Sequence, residues 1–480
     1  MEAGMVRNAS AEVIRISENN PHYFTYRGKE LLLITSAEHY GGVIDKKFDY
    51  KNYFNILQRY GLNYTRIYPG AMVLYKNIFR WENNMSPEPG DLLVPWARSS
   101  VPGYIGGGNK FDLNQWDPEY FKRLDDFITC AAEKDIIVEM CFFNCQYEKS
   151  WPYSPLHKDA NVQGIGVCDF KAVQTTDDQP LYREQLKFIG KLMEHTNRFD
   201  NLIYEFVDEP TLFFTPVRKV QEWIDGMIVK AVEVESSLPK KHLLAQMVET
   251  GVDYSGDDRV SVITSQYCHL TNSREVGGMD ALACFYPLNK PIELNETAHL
   301  PGWQIPYDEV ASSRMEAWEF MVGGGAAFNQ LNGYFCTANP TGENGCNKRI
   351  LENLKCLRVF LEGFDFVKMK RSVAGFINEV STPAYITAMS QPGRQYALYL
   401  HHGHSRQGGT HPGGSLYIPY FGSYETEIKL MMEKGDYKVS FFDPENLNHL
   451  GEQQLSSDGG ETWLKCPRFT LDIAIKITAV

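Results

Sequence analysis

From about residue 30 to residue 365, short apolar runs alternate with longer amphipathic stretches, and that alternation leaves few folds open to the chain. A short apolar run bounded by turn residues reads as a buried strand, and a stripe at i, i+3, i+4, i+7 reads as a helix lying on a sheet. Tyr50, Tyr53, Phe54 and Leu57 keep that stripe, as do Phe121, Leu124, Phe127, Ile128 and Ala131, with Asp49 placed to cap the first helix. Strands are expected at 31–35, 63–68, 136–141, 202–206, 243–247, 261–265, 291–295 and 326–330. Eight such βα units predict a (β/α)8 TIM barrel, with any active site at the carboxyl ends of the strands. A hairpin of residues 14–16 and 24–26 around Asn19-Asn20-Pro21 is expected to close the barrel floor. Beyond about residue 368 the period becomes two, as at 397–400, 437–441 and 469–475, with glycine-rich turns between. A small all-β sandwich domain is therefore expected at 369–480, after a catalytic domain at 1–368, with packing on the barrel as its role.

The 480 residues, 43% apolar and 13% aromatic, suffice for a large buried core. Sixty acidic against 47 basic residues leave a net charge of −13 without a basic block, which argues against nucleic acid or an anionic membrane as partner. No stretch approaches the roughly 20 apolar residues of a membrane span, and a neutral substrate suits the charge better. The amino end, Met1 to Arg7, lacks the charged-then-apolar pattern of a leader, so the expected location is the cytoplasm, or the exterior after removal of a leader. Ten cysteines are scattered without a CxxC pair, several inside expected elements (Cys130, Cys141, Cys284), so free thiols are expected. Cys141 and Cys145 lack the second pair or nearby histidine that a zinc site needs. Two glycosylation acceptor sequences, Asn63-Tyr64-Thr65 and Asn295-Glu296-Thr297, fall on strands expected to be buried, which favours a bacterial origin.

Two stretches, Tyr204-Glu205-Phe206-Val207-Asp208-Glu209-Pro210 and Lys290-Pro291-Ile292-Glu293-Leu294-Asn295-Glu296-Thr297, each run from an apolar segment into a glutamate, 87 residues apart. Two carboxyls facing each other across a cleft are what double-displacement glycoside cleavage requires: one protonated to donate to the leaving oxygen, one ionised to attack carbon. With these motifs the chain resembles the clan A retaining glycoside hydrolases of the family 5, cellulase-like type. In that family the fourth strand ends in Asn-Glu-Pro, carrying the acid/base, and the seventh ends in a pattern like Lys-Pro-(apolar)-x-x-x-Glu, carrying the nucleophile. The resemblance implies Glu209 and Glu296 in those roles. It also implies Arg66, in Gly61-Leu62-Asn63-Tyr64-Thr65-Arg66, as the arginine that orients the nucleophile, and Tyr267, past the sixth strand, as the tyrosine bonded to the same carboxylate. It further implies a retaining hydrolase of β-glycosidic bonds, an oligosaccharide or polysaccharide as substrate, and no cofactor or metal.

Arg66 is expected to lower the pKa of Glu296, while burial and the neighbouring charge raise that of Glu209. Position 208 departs from the pattern, being Asp where the family has Asn. Asp208 is expected to join the two glutamates as a third carboxyl, the alternative being that it turns away to a backbone amide at the next helix start. Glu205 and Glu293 are expected to be packing or ion-pair residues. Glu38 and His39, after the first strand, are expected to bond sugar hydroxyls, with Asn144, Gln146, His269 and Gln330 as further candidates. The long connection from Pro69 to Asp117 carries Tyr75, Trp81, Trp96, Tyr104 and Trp116, and is expected to wall the cleft, with Trp96 among the residues offered to substrate. Trp318 is expected in the core, Gly323-Gly324-Gly325 as a bend into the eighth strand, and His401, His402, His404 and His411 as solvated strand-end residues. Two rival readings are a non-catalytic carbohydrate-binding barrel, favoured by Asp208, and a metal-dependent barrel hydrolase.

Overall fold

A computed structural model describes residues 12–38, 40–76, 78–79, 81–213, 215–249, 251–266, 278–297, 308–372, 374–404 and 417–480. Eight parallel strands form one sheet: β1 (Leu33–Ala37), β2 (Tyr64–Ile67), β3 (Ile137–Asn144), β4 (Leu202–Asp208), β5 (Leu243–Met247), β6 (Val262–Gln266), β7 (Ile292–Glu296) and β8 (Ala327–Leu331). β8 pairs back onto β1, with Ala327 opposite Leu33, and the order continues round through β7 to β2. Asn63 joins the remaining seam between β1 and β2. Its main-chain N–H donates to Ile34 O at 3.3 Å, its Oδ1 accepts from Ile34 N at 3.0 Å, and its Nδ2 donates to Leu32 O at 2.8 Å. One side chain thus satisfies main-chain groups that a ladder satisfies elsewhere.

Among the described residues seven helices surround the strands: α1 (Tyr50–Arg59), α2 (Pro118–Ala132), α3 (Gln179–Thr196), α4 (Val217–Ser236), α5 (Gly278–Phe285), α6 (Glu309–Val322) and α7 (Gly345–Glu362). The expected stripes are the buried faces of α1 and α2, and Asp49 caps α1 by accepting from Asn52 N. The eight-unit reading fails at one place. No helix occurs among the described residues of 248–261, because Gly251, Gly256 and side-chain-to-backbone bonds at Asp253 and Asp257 favour turns over a helix. At the barrel floor Arg15–Ile16 pairs with Phe24–Tyr26, and the hairpin is tied below β4 by Ile14 N to Asp200 O at 2.8 Å.

The carboxyl-terminal part is antiparallel: a six-stranded sheet that includes Tyr385–Gln391, Gln395–His401 and Asp472–Ala479, and a three-stranded sheet of Ile377–Val380, Glu427–Met432 and Gly460–Lys465. Their facing apolar residues form a core of their own. α6 lies between barrel and sandwich and is buried on every side. Its Arg314 holds Asp472 of the sandwich with two bonds, at 2.8 and 3.1 Å, and its Trp318 packs between Phe360 and Tyr399. His401 is buried at this junction, 3.6 Å from Glu319, and His402 stacks on Tyr424, so neither is the solvated residue expected; the side chains of His404 and His411 lie outside the described residues. The nine cysteines described are free, and among the described residues no helix is long and apolar enough to cross a membrane.

Candidate active site

Two layers of acidic side chains lie one above the other inside the barrel, with Arg66 of β2 between them. The lower layer holds Glu139, Glu205 and Glu293, from β3, β4 and β7, all buried. Arg66 Nε and Nη2 donate to Glu205 Oε2 at 2.8 and 2.6 Å, and Asn295 Nδ2 donates to Glu205 Oε1 at 3.2 Å. The Tyr64 hydroxyl lies against both Glu139 and Glu293. One phenol proton serves one acceptor, so the second contact needs a proton on a carboxyl. Burial agrees, pushing Glu293 up to about 7 and Glu139 well above its ordinary range.

The upper layer holds Asp208, Glu209 and Glu296 at the carboxyl ends of β4 and β7. Asp208 points inward, where four donors converge on it: Tyr68 Oη at 2.6 Å, Asn144 Nδ2 at 2.8 Å, Arg66 Nη2 at 3.0 Å, and Gln266 Nε2. This is the inward arrangement, not the turn towards a helix-start amide. Glu205 and Asp208 both reach Arg66 although strict alternation would place residues three apart on opposite faces. On β7 a register shift against β6 sets Gln266 opposite Glu296 where Ser265 faces Leu294, so that Asn295 and Glu296 both reach barrel-lining partners. Glu209 follows with φ at +46°, a left-handed backbone that costs a non-glycine residue free energy and gathers at functional sites.

Glu209 and Glu296 differ in their surroundings. Burial pushes Glu209 well up, and the charges of Glu296, Asp208 and Glu249 push it further, while the Cys145 thiol pulls back. Glu296 is also pushed up, by burial first and Asp208 second, with Arg66 opposing. The expected lowering of Glu296 by Arg66 is therefore not what the structure has. The guanidinium is engaged by Glu205 and Asp208 at 2.6 and 3.0 Å and reaches Glu296 only at 3.5 Å, too far to outweigh burial. Glu296 nonetheless has a cation beside it, whereas the charges that act most strongly on Glu209 are negative, an asymmetry that favours the ionised form more at Glu296 than at Glu209.

Several expected site residues lie elsewhere. The Glu38 carboxylate accepts from the main-chain N–H groups of Tyr40, Gly41 and Gly42 at 2.9, 3.2 and 2.8 Å, so it shapes its own loop. Gln330 donates to Ser313 Oγ of α6 at 2.6 Å, on the outer face of β8. Trp96 is buried between Trp116 and Phe188, anchoring the ribbon of Trp96–Pro102 and Asn109–Trp116 to α3. Asn144 belongs to the site through Asp208, and Gln146 donates to the Asn144 carbonyl at 3.2 Å. His39, Tyr267 and His269 lie outside the described residues.

The aromatic groups near the acids are others. Tyr40 feels the charges of Glu296, Glu209 and Asp208, and its ring lies 5.3 Å from Phe79, which stacks on Trp81 at 5.0 Å and meets Tyr147 edge-on at 5.7 Å. Of these only Trp81 stood among the loop aromatics offered by sequence, although Tyr40 sits two residues after Glu38. Tyr68 and Gln266, which hold Asp208, follow an arginine and end a strand, with no motif to mark them. Among the described residues one trio of metal-type donors lies together, His157, Asp159 and Cys168, in the loop after β3. Its His157 Nδ1 accepts from the main-chain N–H of Asp159 at 3.2 Å, and the Lys158 amine bonds Cys168.

No protein-family model and no curated protein sequence matches this chain. Solved structures do. A putative glycoside hydrolase from Bacteroides vulgatus superposes over 100% of this chain and 84% of its own, at TM-score 0.65 and 12% identity. A glycoside hydrolase of family 5 from the same organism covers 97% and 93%, at TM-score 0.61 and 13% identity. A noncanonical maltogenic alpha-amylase from Thermotoga neapolitana covers 93% and 99%, at TM-score 0.53 and 11% identity. At such identities the likeness is one of fold: a TIM barrel of the family 5 type followed by antiparallel sheets.

Proposed function

We propose that the protein is a retaining glycoside hydrolase acting on β-linked sugars, with Glu209 as acid/base and Glu296 as nucleophile. The observation that carries this reading is that Glu209 and Glu296, from the ends of β4 and β7, lie close enough to act on each other's charge, with Arg66 3.5 Å from Glu296, Asp208 acting on both, and Tyr40 feeling all three carboxyls. Glu209 protonates the glycosidic oxygen while Glu296 attacks the anomeric carbon and forms a glycosyl-enzyme. Glu209, now ionised, then takes a proton from water, and that water displaces Glu296. The asymmetry of charge described above suits these roles, favouring the ionised form more at Glu296 than at Glu209. Tyr68, Asn144 and Gln266 act through Asp208 by holding it in place. The names carried by the proteins of like fold, glycoside hydrolases and an amylase, support the same reaction class. A panel of chromogenic β-glycosides, with and without chelator, tests it. Turnover unaffected by chelator, with the anomeric configuration retained in the first-formed product by proton NMR, is expected. No turnover across the panel favours a binding barrel, chelator-sensitive hydrolysis a metal enzyme, and inverted product an inverting mechanism.

A further inference from the structure

Cys145 is the first residue beyond β3, and its main-chain N–H donates to Asp208 O at 3.0 Å. That bond sets its side chain beside Glu209, the next residue of the neighbouring strand end. The buried thiol has two acceptors in reach: Asn144 Oδ1 at 2.9 Å and Glu209 Oε2 at 3.4 Å. It has one proton to donate, so it serves one of them at a time or both weakly. An ionised carboxylate is the stronger acceptor and a protonated carboxyl the weaker. The proposed function makes Glu209 alternate between those states twice in each turnover.

Resting on that reading, we propose that Cys145 is a positioning residue for the acid/base: its S–H turns from Asn144 Oδ1 to Glu209 Oε2 when Glu209 gives up its proton, and turns back when Glu209 regains it. No bond between heavy atoms forms or breaks, and the thiol keeps its proton throughout. Among the described residues the thiol is a neutral donor to Glu209, at 3.4 Å. The charges that act most strongly on the same carboxyl, Glu296 from β7, Asp208 on β4 and Glu249 after β5, are acidic, and Tyr40 of the loop after β1 faces it too. Asn144 meanwhile stays fixed by its own bond to Asp208 at 2.8 Å, so the alternative acceptor waits in place. The thiol therefore favours the charged form of Glu209 and leaves its neutral form alone.

The experiment first separates the two readings. Glu209→Ala should lose activity on alkyl glycosides, whose poor leaving groups need the acid, while keeping glycosyl-enzyme formation on activated aryl glycosides. A variant equally active on both classes sinks the acid/base assignment and this proposal with it. With that established, Cys145→Ala and the nearly isosteric Cys145→Val remove the donor, and Cys145→Ser keeps one. Since removing a donor to the charged form raises the pKa of an acid that works protonated, the alkaline limb of kcat/KM for alkyl glycosides should move up by about half to one pH unit in the Ala and Val variants. It should stay near the wild-type position in Cys145→Ser, and no variant should shift it for activated aryl glycosides. Superimposable limbs for wild type and whichever of the Ala and Val variants folds, or equal shifts in those and in Ser, would overturn the proposal in favour of simple packing.

Discussion

The two acid layers of the barrel use the same residue types, at similar burial, around one arginine, yet only one of them looks like a reaction centre. In the lower layer Glu205 is answered by Arg66 and Asn295, and Glu139 and Glu293 meet at the Tyr64 hydroxyl, although Glu139 Oε1 is buried without a hydrogen-bond partner. In the upper layer Asp208 is answered by four donors, while Glu209 and Glu296 stand at the carboxyl ends of their strands, and their exposures of 7% and 5% compare with 0–1% below. Burial alone does not make a site. A carboxyl becomes reactive when its environment has tuned it and something can still reach it.

Removing one glutamate from each layer is the widest test of that difference. Glu296→Gly should cut turnover by about 10⁴-fold or more with melting temperature nearly unchanged, and azide entering the vacated space should restore part of it as a glycosyl azide of inverted configuration. Burial pushes Glu205 up to about 8 despite Arg66, so Glu205→Gln should instead act on stability, most strongly above that pH and there by about 3 kcal/mol, where it replaces the charged partner of the buried guanidinium by a neutral one. Full activity in Glu296→Gly, or an unchanged denaturation midpoint in Glu205→Gln, would erase the distinction.

A smaller effect is expected at the joint between the layers. Asp208→Asn removes a charge that raises both Glu209 and Glu296 and releases Arg66 towards Glu296, so both limbs of the kcat/KM profile should move to lower pH, by about one unit. Superimposable profiles would show that the Asp208 charge does not act on the two glutamates.

The smallest expected effect is on stability against pH. Glu293 is held neutral by the fold up to about 7, and Glu139 is raised too, whereas both ionise near 4.5 once unfolded. The unfolded state therefore binds fewer protons between those values. Stability from these groups is full below about 4.5 and is lost as pH climbs through their folded-state values. Glu38, Glu205 and Glu249, pushed up by burial to about 7, 8 and 7, act in the same direction, whereas His22, His157, His195 and His402, lowered by burial, oppose it below about 6.5; Asp126 and Asp257, lowered by their Tyr50 and Arg259 partners, act only below about 3.8. From pH 5 to pH 8 the melting temperature of wild type should fall by a few degrees relative to that of Glu293→Gln, which mimics the protonated acid, as followed by calorimetry. Parallel curves for the two would contradict the lower-layer assignment.

Much of the architecture was legible without coordinates because it depends on local pattern. Strand positions came within about two residues of those observed, since short apolar runs between turn residues have few other uses. The order of strands put Glu209 and Glu296 on the same rim, since a parallel barrel brings every strand's carboxyl end to one face. What sequence did not determine is which way a side chain points once a strand departs from regularity, and what it meets. Counting by twos puts Asp208 opposite Glu205, and Glu296 opposite Glu293; irregular strand ends bring both inward. Counting also cannot tell Gln330, which faces α6, from Asn329, whose Oδ1 accepts from Ala37 N. Trp96 and Trp81 lie in the same connection with the same chemistry, and only packing against Phe188 or Phe79 separates an anchor from a wall. The sharing of Arg66 among Glu205, Asp208 and Glu296 is likewise a matter of distances between β2, β4 and β7. Coulomb interactions and hydrogen bonds depend on separations of a few tenths of an ångström between residues far apart in the chain, and those are decided by the closed barrel as a whole.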